Sequence, residues 1–263
     1  MTTLFYVSLG LYAAALLAEL AGVAWKKEKI KSFAWWIFVL ALLAHLGYFV
    51  WRGLVAQRLP LSSQFEFSCG LALGVSLVLL VARTRVSADW IAAAGMAAVT
   101  LLMVYASRQK MAISELMPAL RSFWFTFHIV SAVFSYSAFL VAGCVSLRYV
   151  LQHRRGESAE SLKMKKLEYL SYRLVALGFL LLTAVIVIGA VWAEAAWSAY
   201  WTWDPKEVWA LITWIIYAVY LHIRLRRQYS DLFLNWYVIL AIPAFLFTFA
   251  GVNKLLPGLH SYA

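Results

Sequence analysis

Residues 173–209 read RLVALGFLLLTAVIVIGAVWAEAAWSAYWTWDPKEVW. From Leu174 to Ala193 the run is uncharged and long enough for a helix, rising about 1.5 Å per residue, to cross roughly 30 Å of hydrocarbon. A backbone in lipid must satisfy its own hydrogen bonds, so such a run dictates a spanning helix. The end of this run is unusual: Trp192, Trp197, Trp201, Trp203 and Trp209 crowd together with Tyr200 before the next apolar run. Tryptophan and tyrosine favour the membrane interface because their rings are apolar while one polar atom still needs a partner. Their density here exceeds a belt and suits a flat aromatic shelf for a planar apolar ligand, with Asp204, Lys206 and Glu207 at its edge. Asp204, Pro205 and Glu207 also match a helix start, with Asp at the N-cap, Pro at the first helical position and Glu reaching back to the cap. Capping explains the acids and the proline but leaves the tryptophans and Lys206 without a reason.

Outward from this stretch the pattern repeats. The chain has 263 residues, 64% of them hydrophobic and 13% charged, too apolar a balance for a soluble globular domain. We expect an all-α, polytopic integral membrane protein, one transmembrane domain over residues 1–263, with spans near 4–24, 33–53, 66–82, 88–106, 123–149, 173–193, 206–224 and 233–252. The net charge of +11 is carried mainly by short loops after the first, third, fifth and seventh spans, which orients the chain with both termini outside the cytoplasm and gives no reason to invoke nucleic acid. The first apolar run is long enough to span and lacks a basic leader, so no cleavable signal is expected. The polar stretch 152–172 reads as a cytoplasmic connector, helical through Leu162, Leu167 and Leu170. Cys69 and Cys144 are isolated in separate spans, without metal or dithiol spacing. No glycine-rich phosphate loop is present, which argues against ATP hydrolysis.

This topology places Trp192–Trp209 on the outer side, with His128 near the outer end of the fifth span and His260 in the outer C-terminal tail. Two neutral imidazoles flanking an aromatic shelf suit the axial positions of a haem, with indole rings against the porphyrin and basic or N–H groups at its propionates. The bland alternative for His128 is an interfacial histidine hydrogen-bonded to a backbone carbonyl. His222 lies in the inner part of the seventh span, where it either snorkels with Arg224 or ligates a second haem. His45, at mid-depth in the second span, is a candidate partner for His222, and His153 is an ordinary loop residue. Glu19 and Glu66 are candidate proton relays, with helix capping the favoured role for Glu66 after Ser62 and Ser63.

At Trp192-Ala193, Trp197, Tyr200-Trp201-Thr202-Trp203-Asp204-Pro205-Lys206-Glu207, Trp209–Trp214, Tyr220-Leu221-His222, Gly251-Val252-Asn253 and Leu256–Tyr262 the sequence resembles the haem-handling family marked by a tryptophan-rich WWD segment. Within it the likeness is to the CcsA-type subunits of cytochrome c synthases, on the strength of the Asp-Pro-Lys-Glu continuation. The resemblance implies that His128 and His260 are external axial ligands, that Trp192, Trp197, Trp201, Trp203, Asp204 and Lys206 hold the haem, and that His222 is an intramembrane ligand with a second histidine from His45 or a partner. It implies haem b as substrate, export across the membrane, and covalent attachment to the CxxCH motif of an apocytochrome c, together with a CcsB-type membrane subunit. The setting is then a multi-pass protein of a bacterial inner membrane, with the plastid thylakoid as the alternative. Competing functions are a haem chaperone that forms no thioether bond and a quinone-linked b-type haem protein. One departure is visible: Ser198 stands where the family commonly has glycine, which matters if that backbone needs positive φ.

Overall fold

The structure, a computed structural model, describes residues 2–86 and 89–256, and among these there are helices but no strand. Eight helical stretches are long and apolar enough to cross a membrane, as the sequence predicts, and the chain is a polytopic membrane protein. It divides into two compact units, Met1–Glu115 and Leu116–Ala263.

The first unit comprises α1 (Thr2–Ala24), α2 (Glu28–Ala56), α3 (Gln64–Arg83) and α4 (Asp89–Ser107). Helices α1 and α2 form an antiparallel hairpin whose close approach depends on Gly22: a Cβ there would lie 2.6 Å from Lys31 Cγ. Small residues let helices approach where no hydrophobic force separates lipid from protein. In the interior the Tyr12 hydroxyl lies 3.4 Å from His45 Nδ1 and 3.3 Å from Ser76 Oγ, joining α1, α2 and α3. Ser63 caps α3 by accepting from the Glu66 N–H at 3.2 Å, so Glu66 occupies the capping position expected of it. Its carboxylate, however, does more than cap. It accepts from Arg52 Nε at 3.0 Å, from Arg58 Nη1 at 2.7 Å, and from both the amide and the hydroxyl of Ser62 at 3.0 Å. Arg52 also donates to the carbonyl of Met111 at 2.9 Å. Glu66 and Arg52 are each 1% exposed, and together they fasten the end of α2, the 57–63 loop and the segment after α4.

The second unit opens with a 3-10 turn, Pro118–Leu120, then α5 (Phe123–Arg154), α6 (Leu162–Trp197), α7 (Pro205–Leu225), α8 (Asp231–Leu246), a π-helical turn (Phe247–Gly251) and α9 (Val252–Leu255). Side chains of Ser122, Ser161 and Ser230 cap α5, α6 and α8. Where the sequence suggested a connector at 152–172, α6 already begins at Leu162 and runs unbroken into the sixth span. The reason is a single buried stripe, Met164, Leu167, Ser171, Leu174, Val175 and Gly178, at helical spacing across the supposed boundary.

Helices α5 and α6 are antiparallel partners held by small and polar contacts along their length. Ser146 and Ser171 hydroxyls meet at 2.7 Å, the Ser135 hydroxyl donates to the Gly178 carbonyl at 2.8 Å, and the Phe139 ring fills the space a Gly178 side chain would need. Continuing that register brings His128 against Val185 and Gly189, and Phe125 against Trp192. Helix α7 lies against both α6 and α8: Trp214 Nε1 donates to the Thr183 hydroxyl at 2.9 Å, and Tyr237 donates to the Ile216 carbonyl at 3.0 Å.

Candidate functional site

Antiparallel order brings the start of α5, the end of α6 and the start of α7 to one end of the second unit. The π-helical turn after α8 arrives there too, since the Trp209 and Phe247 rings lie 4.3 Å apart at a tilt of 48° and the hydroxyls of Thr213 and Thr248 lie 3.4 Å apart. The Trp-rich stretch divides here into the last turns of α6, the loop 198–204 and the first turns of α7.

His128 is set into this end rather than standing free. Its Nδ1 lies 2.9 Å from the Val185 carbonyl oxygen, and since a carbonyl only accepts, Nδ1 carries the hydrogen. In the neutral ring the lone pair is therefore on Nε2, a tautomer fixed in the manner common to metal-ligating histidines. The Nδ1 contact is the backbone-bonded arrangement that the sequence offered as one of its two alternatives for His128. Gly189, one turn beyond Val185 on α6, makes this approach possible: a Cβ there would sit 2.7 Å from His128 Nδ1. Beyond Gly189 the Trp192 ring lies against the imidazole, with centroids 5.8 Å apart and planes 28° apart. Trp192 is 1% exposed, donates Nε1–H to the Ala119 carbonyl at 2.8 Å, and packs with Phe125 and Leu120. It is thus the floor beneath His128, with Trp197 against its far side at 4.8 Å. Gly189, Val185 and Ala119 carried no signal in the sequence, because their roles depend on which carbonyl or gap faces the ring.

The loop has a different character. Ser198 ends α6 in the left-handed region at φ 57°, its amide donating to Glu194 O at 2.8 Å, so the position does use the conformation a glycine would favour. Trp203, just before the α7 cap, is left-handed as well, at φ 59°, and 71% exposed. Asp204 is buried and accepts from the Lys206 amide at 2.9 Å, while Glu207 accepts from the Asp204 amide at 3.2 Å, completing the capping box read from the sequence. Trp201 stands perpendicular to Trp203 at 5.8 Å.

The remaining histidines fall in unlike places. His260 lies outside the described residues. His222, near the opposite end of α7, is exposed on the helix surface. His45 is fully buried in the first unit beside Tyr12. Arg224, close by on α7, forms an ion pair with Glu168 at 2.7 Å and lies over the Tyr172 ring at 4.2 Å. Among the described residues no cluster of three or more His, Cys, Asp or Glu side chains is placed to hold a bare metal ion.

Fold and site together define a multi-pass helical membrane protein with a tautomer-fixed imidazole against Trp192 of α6 and an exposed aromatic loop following that helix. The family is shown by comparison with known proteins: residues 61–260 match the cytochrome c assembly protein family, and the chain belongs to it, with a role in cytochrome c biogenesis. It is 35% identical to a cytochrome c biogenesis protein CcsA of Parasynechococcus marenigrum (strain WH8102), over 86% of this chain and 85% of that one. A second protein of that name, from Synechococcus sp. (strain CC9311), is 33% identical over 97% of each chain, and one from Chlamydomonas reinhardtii is 40% identical over 57% of this chain and 43% of its own. Among solved structures the cytochrome c haem lyase CcmF matches with a TM-score of 0.74, covering 94% of this chain and 46% of that one at 18% identity, a likeness of fold.

Proposed function

We propose that this chain is the haem-presenting subunit of a membrane cytochrome c synthase. Haem b is bound at the outer end of the second unit between His128 and His260, with Trp197, Trp201 and Trp203 against the porphyrin and Asp204 and Lys206 at its edge. The observation that supports the reading is the Nδ1 contact of His128 with Val185 O at 2.9 Å, which puts the lone pair of the neutral ring on Nε2, as an orienting partner does for a metal-binding histidine. Trp192 serves from below, holding the imidazole plane. Both termini then face the periplasm, and the setting is a bacterial inner membrane.

The chemistry asks little of the protein as an acid or base. Each cysteine thiol of an apocytochrome CxxCH adds across one haem vinyl group: a carbon–sulfur bond forms, the vinyl double bond becomes single, and the thiol proton ends on the other vinyl carbon. No electrons are gained or lost in the addition. What the site contributes is a fixed porphyrin with its vinyl edge accessible, so that attack becomes an effective-concentration problem. The incoming histidine of CxxCH replaces one axial ligand and releases the product. Thiol reduction must come from elsewhere, since Cys69 and Cys144 are both buried in helices. Exposure of His222 on α7 suits a second haem site whose other ligand comes from a CcsB-type partner rather than from enclosed His45.

The test is the visible spectrum of the protein purified with its membrane partner, with and without dithionite. Reduced bands of a bis-histidine b-type haem, lost in His128→Ala and in His260→Ala and partly restored by imidazole, are the expected result. An unchanged haem content and spectrum in His128→Ala would overturn the assignment. Coexpression with an apocytochrome separates attachment from carriage: covalent haem on the cytochrome supports the synthase, and none supports a chaperone.

A further inference from the structure

Trp203 combines three properties that do not ordinarily coexist: a bulky aromatic side chain, a left-handed backbone at φ 59°, and 71% exposure. The left-handed region crowds Cβ against the following carbonyl, and for a residue of this size it is a true outlier. Nothing about Trp203's own packing compensates, since its ring contact is the perpendicular approach to Trp201. The compensation lies in the backbone on either side. Glu207 Oε2 accepts from the Thr202 amide at 2.9 Å and from the Asp204 amide at 3.2 Å, and its Oε1 lies 3.3 Å from the Thr202 hydroxyl. A capping box requires only the Asp204 contact. The two contacts to Thr202 are additional, and with the Asp204 contact they bracket Trp203, tying the backbone one residue before it and one residue after it to the same carboxylate.

We infer that Glu207 is a positioning residue for the ligand-facing loop, clamping the backbone around Trp203 so that the indole stands out towards the haem instead of relaxing onto the protein. The inference rests on the haem reading above. Strained backbone held by its surroundings is a recurrent device of binding sites, because the loop then pays no ordering cost when ligand arrives. Glu207 touches no haem atom in this scheme; it acts through Trp203.

The experiment uses the full chain with its membrane partner and measures the rate of haem loss to excess apomyoglobin, the reduced spectrum and thermal stability. Glu207→Ala should speed haem loss by about 10-fold or more, the range typical when a group that orients a ligand-binding residue is removed. Glu207→Gln, which keeps a carbonyl oxygen for the two amides, should restore most of the retention. Thr202→Val, which leaves the α7 cap intact, should shift haem loss in the same direction without lowering the melting temperature. Trp203→Gly removes both the strain and the indole, so adding Glu207→Ala to it should change haem loss no further. Full additivity of Glu207→Ala and Trp203→Gly would overturn the clamp and leave Glu207 as a cap alone. So would a silent Thr202→Val together with equal haem loss in Glu207→Gln and Glu207→Ala. Failure of the haem reading itself looks different: His128→Ala would then retain haem like the wild type.

Discussion

Gly189→Ala is the most incisive single perturbation of the site, because it touches His128 without altering any polar group. The added Cβ would lie 2.7 Å from His128 Nδ1 and 2.8 Å from Cε1, where ordinary contact begins at 3.4 Å. The imidazole must therefore retreat by ~0.7 Å, and with Trp192 against its face it has little freedom to do so by tilting. A retreat of that size stretches the 2.9 Å contact with Val185 O towards ~3.6 Å, beyond a useful hydrogen bond. The lost bond is worth about 1 kcal/mol, and disturbing such an orienting partner typically lowers metal affinity about 10–100-fold. Alanine meanwhile favours the helix interior over glycine by about 1 kcal/mol, so α6 itself should not weaken. The expected result is a protein with near wild-type melting temperature that loses outer haem about 10–100-fold faster and is partly rescued by imidazole. Titration of haem into the purified protein, with a thermal melt alongside, reads both quantities. Wild-type haem affinity and spectrum in Gly189→Ala would refute the idea that the Val185 contact sets the ligand.

Glu66→Ala leaves Arg52 buried without its counter-charge and should destabilise by about 3–5 kcal/mol, seen as a large fall in the detergent melting temperature, whereas a loss under about 1 kcal/mol would mean that the Met111 and Ala112 carbonyls suffice for Arg52. Ser198→Gly relieves a left-handed L-residue at a small entropic cost and should stabilise by about 0.5–1 kcal/mol; a lower melting temperature would contradict the C-cap geometry. The Tyr217 hydroxyl is buried without a hydrogen-bond partner among the described residues, and Tyr217→Phe should be neutral or stabilising by about 1 kcal/mol in the same melt, a marked loss pointing instead to a hidden contact. His222→Ala should lower total haem bound by the protein with its partner, while His45→Phe should leave it unchanged; the reverse pattern would restore His45 as the inner ligand.

Much of this architecture was legible in the chain. Spanning helices announce themselves because lipid tolerates only apolar, internally bonded segments, and the Asp204, Pro205, Glu207 cap is written in adjacent residues. What could not be read were relations between distant residues. Arg52 and Arg58 counted only as outer basic residues until Glu66 was seen between them. That the helix of the sixth span continues unbroken from Leu162 was hidden because charged Lys163, Lys165 and Lys166 are interleaved with the buried stripe. His128 stood out by its residue type and its expected side of the membrane, but its tautomer is set by a carbonyl 57 positions away.

The two halves of the site are built on opposite principles. His128 stands on the α5–α6 pair, whose register is fixed by Ser146 with Ser171, Ser135 with Gly178, and Trp192 tied to Ala119, so its place is set by the most extensive packing in the unit. The loop 198–204 has left-handed residues near both ends, Ser198 and Trp203, and is held mainly by hydrogen bonds to Glu194, Asp204 and Glu207. A ligand that must be gripped and then surrendered benefits from this division. Under the proposed function the packed side would hold the iron against displacement, while the bonded side would yield as an apocytochrome takes over the haem, because breaking two or three hydrogen bonds disturbs no core. Substitutions on the α5–α6 seam, such as Gly178→Val against Phe139, should therefore lower stability and haem content together, whereas substitutions within 198–204 should change haem release at nearly constant melting temperature. Parallel changes in both properties from loop substitutions would mean that the loop belongs to the folded core rather than to the release step.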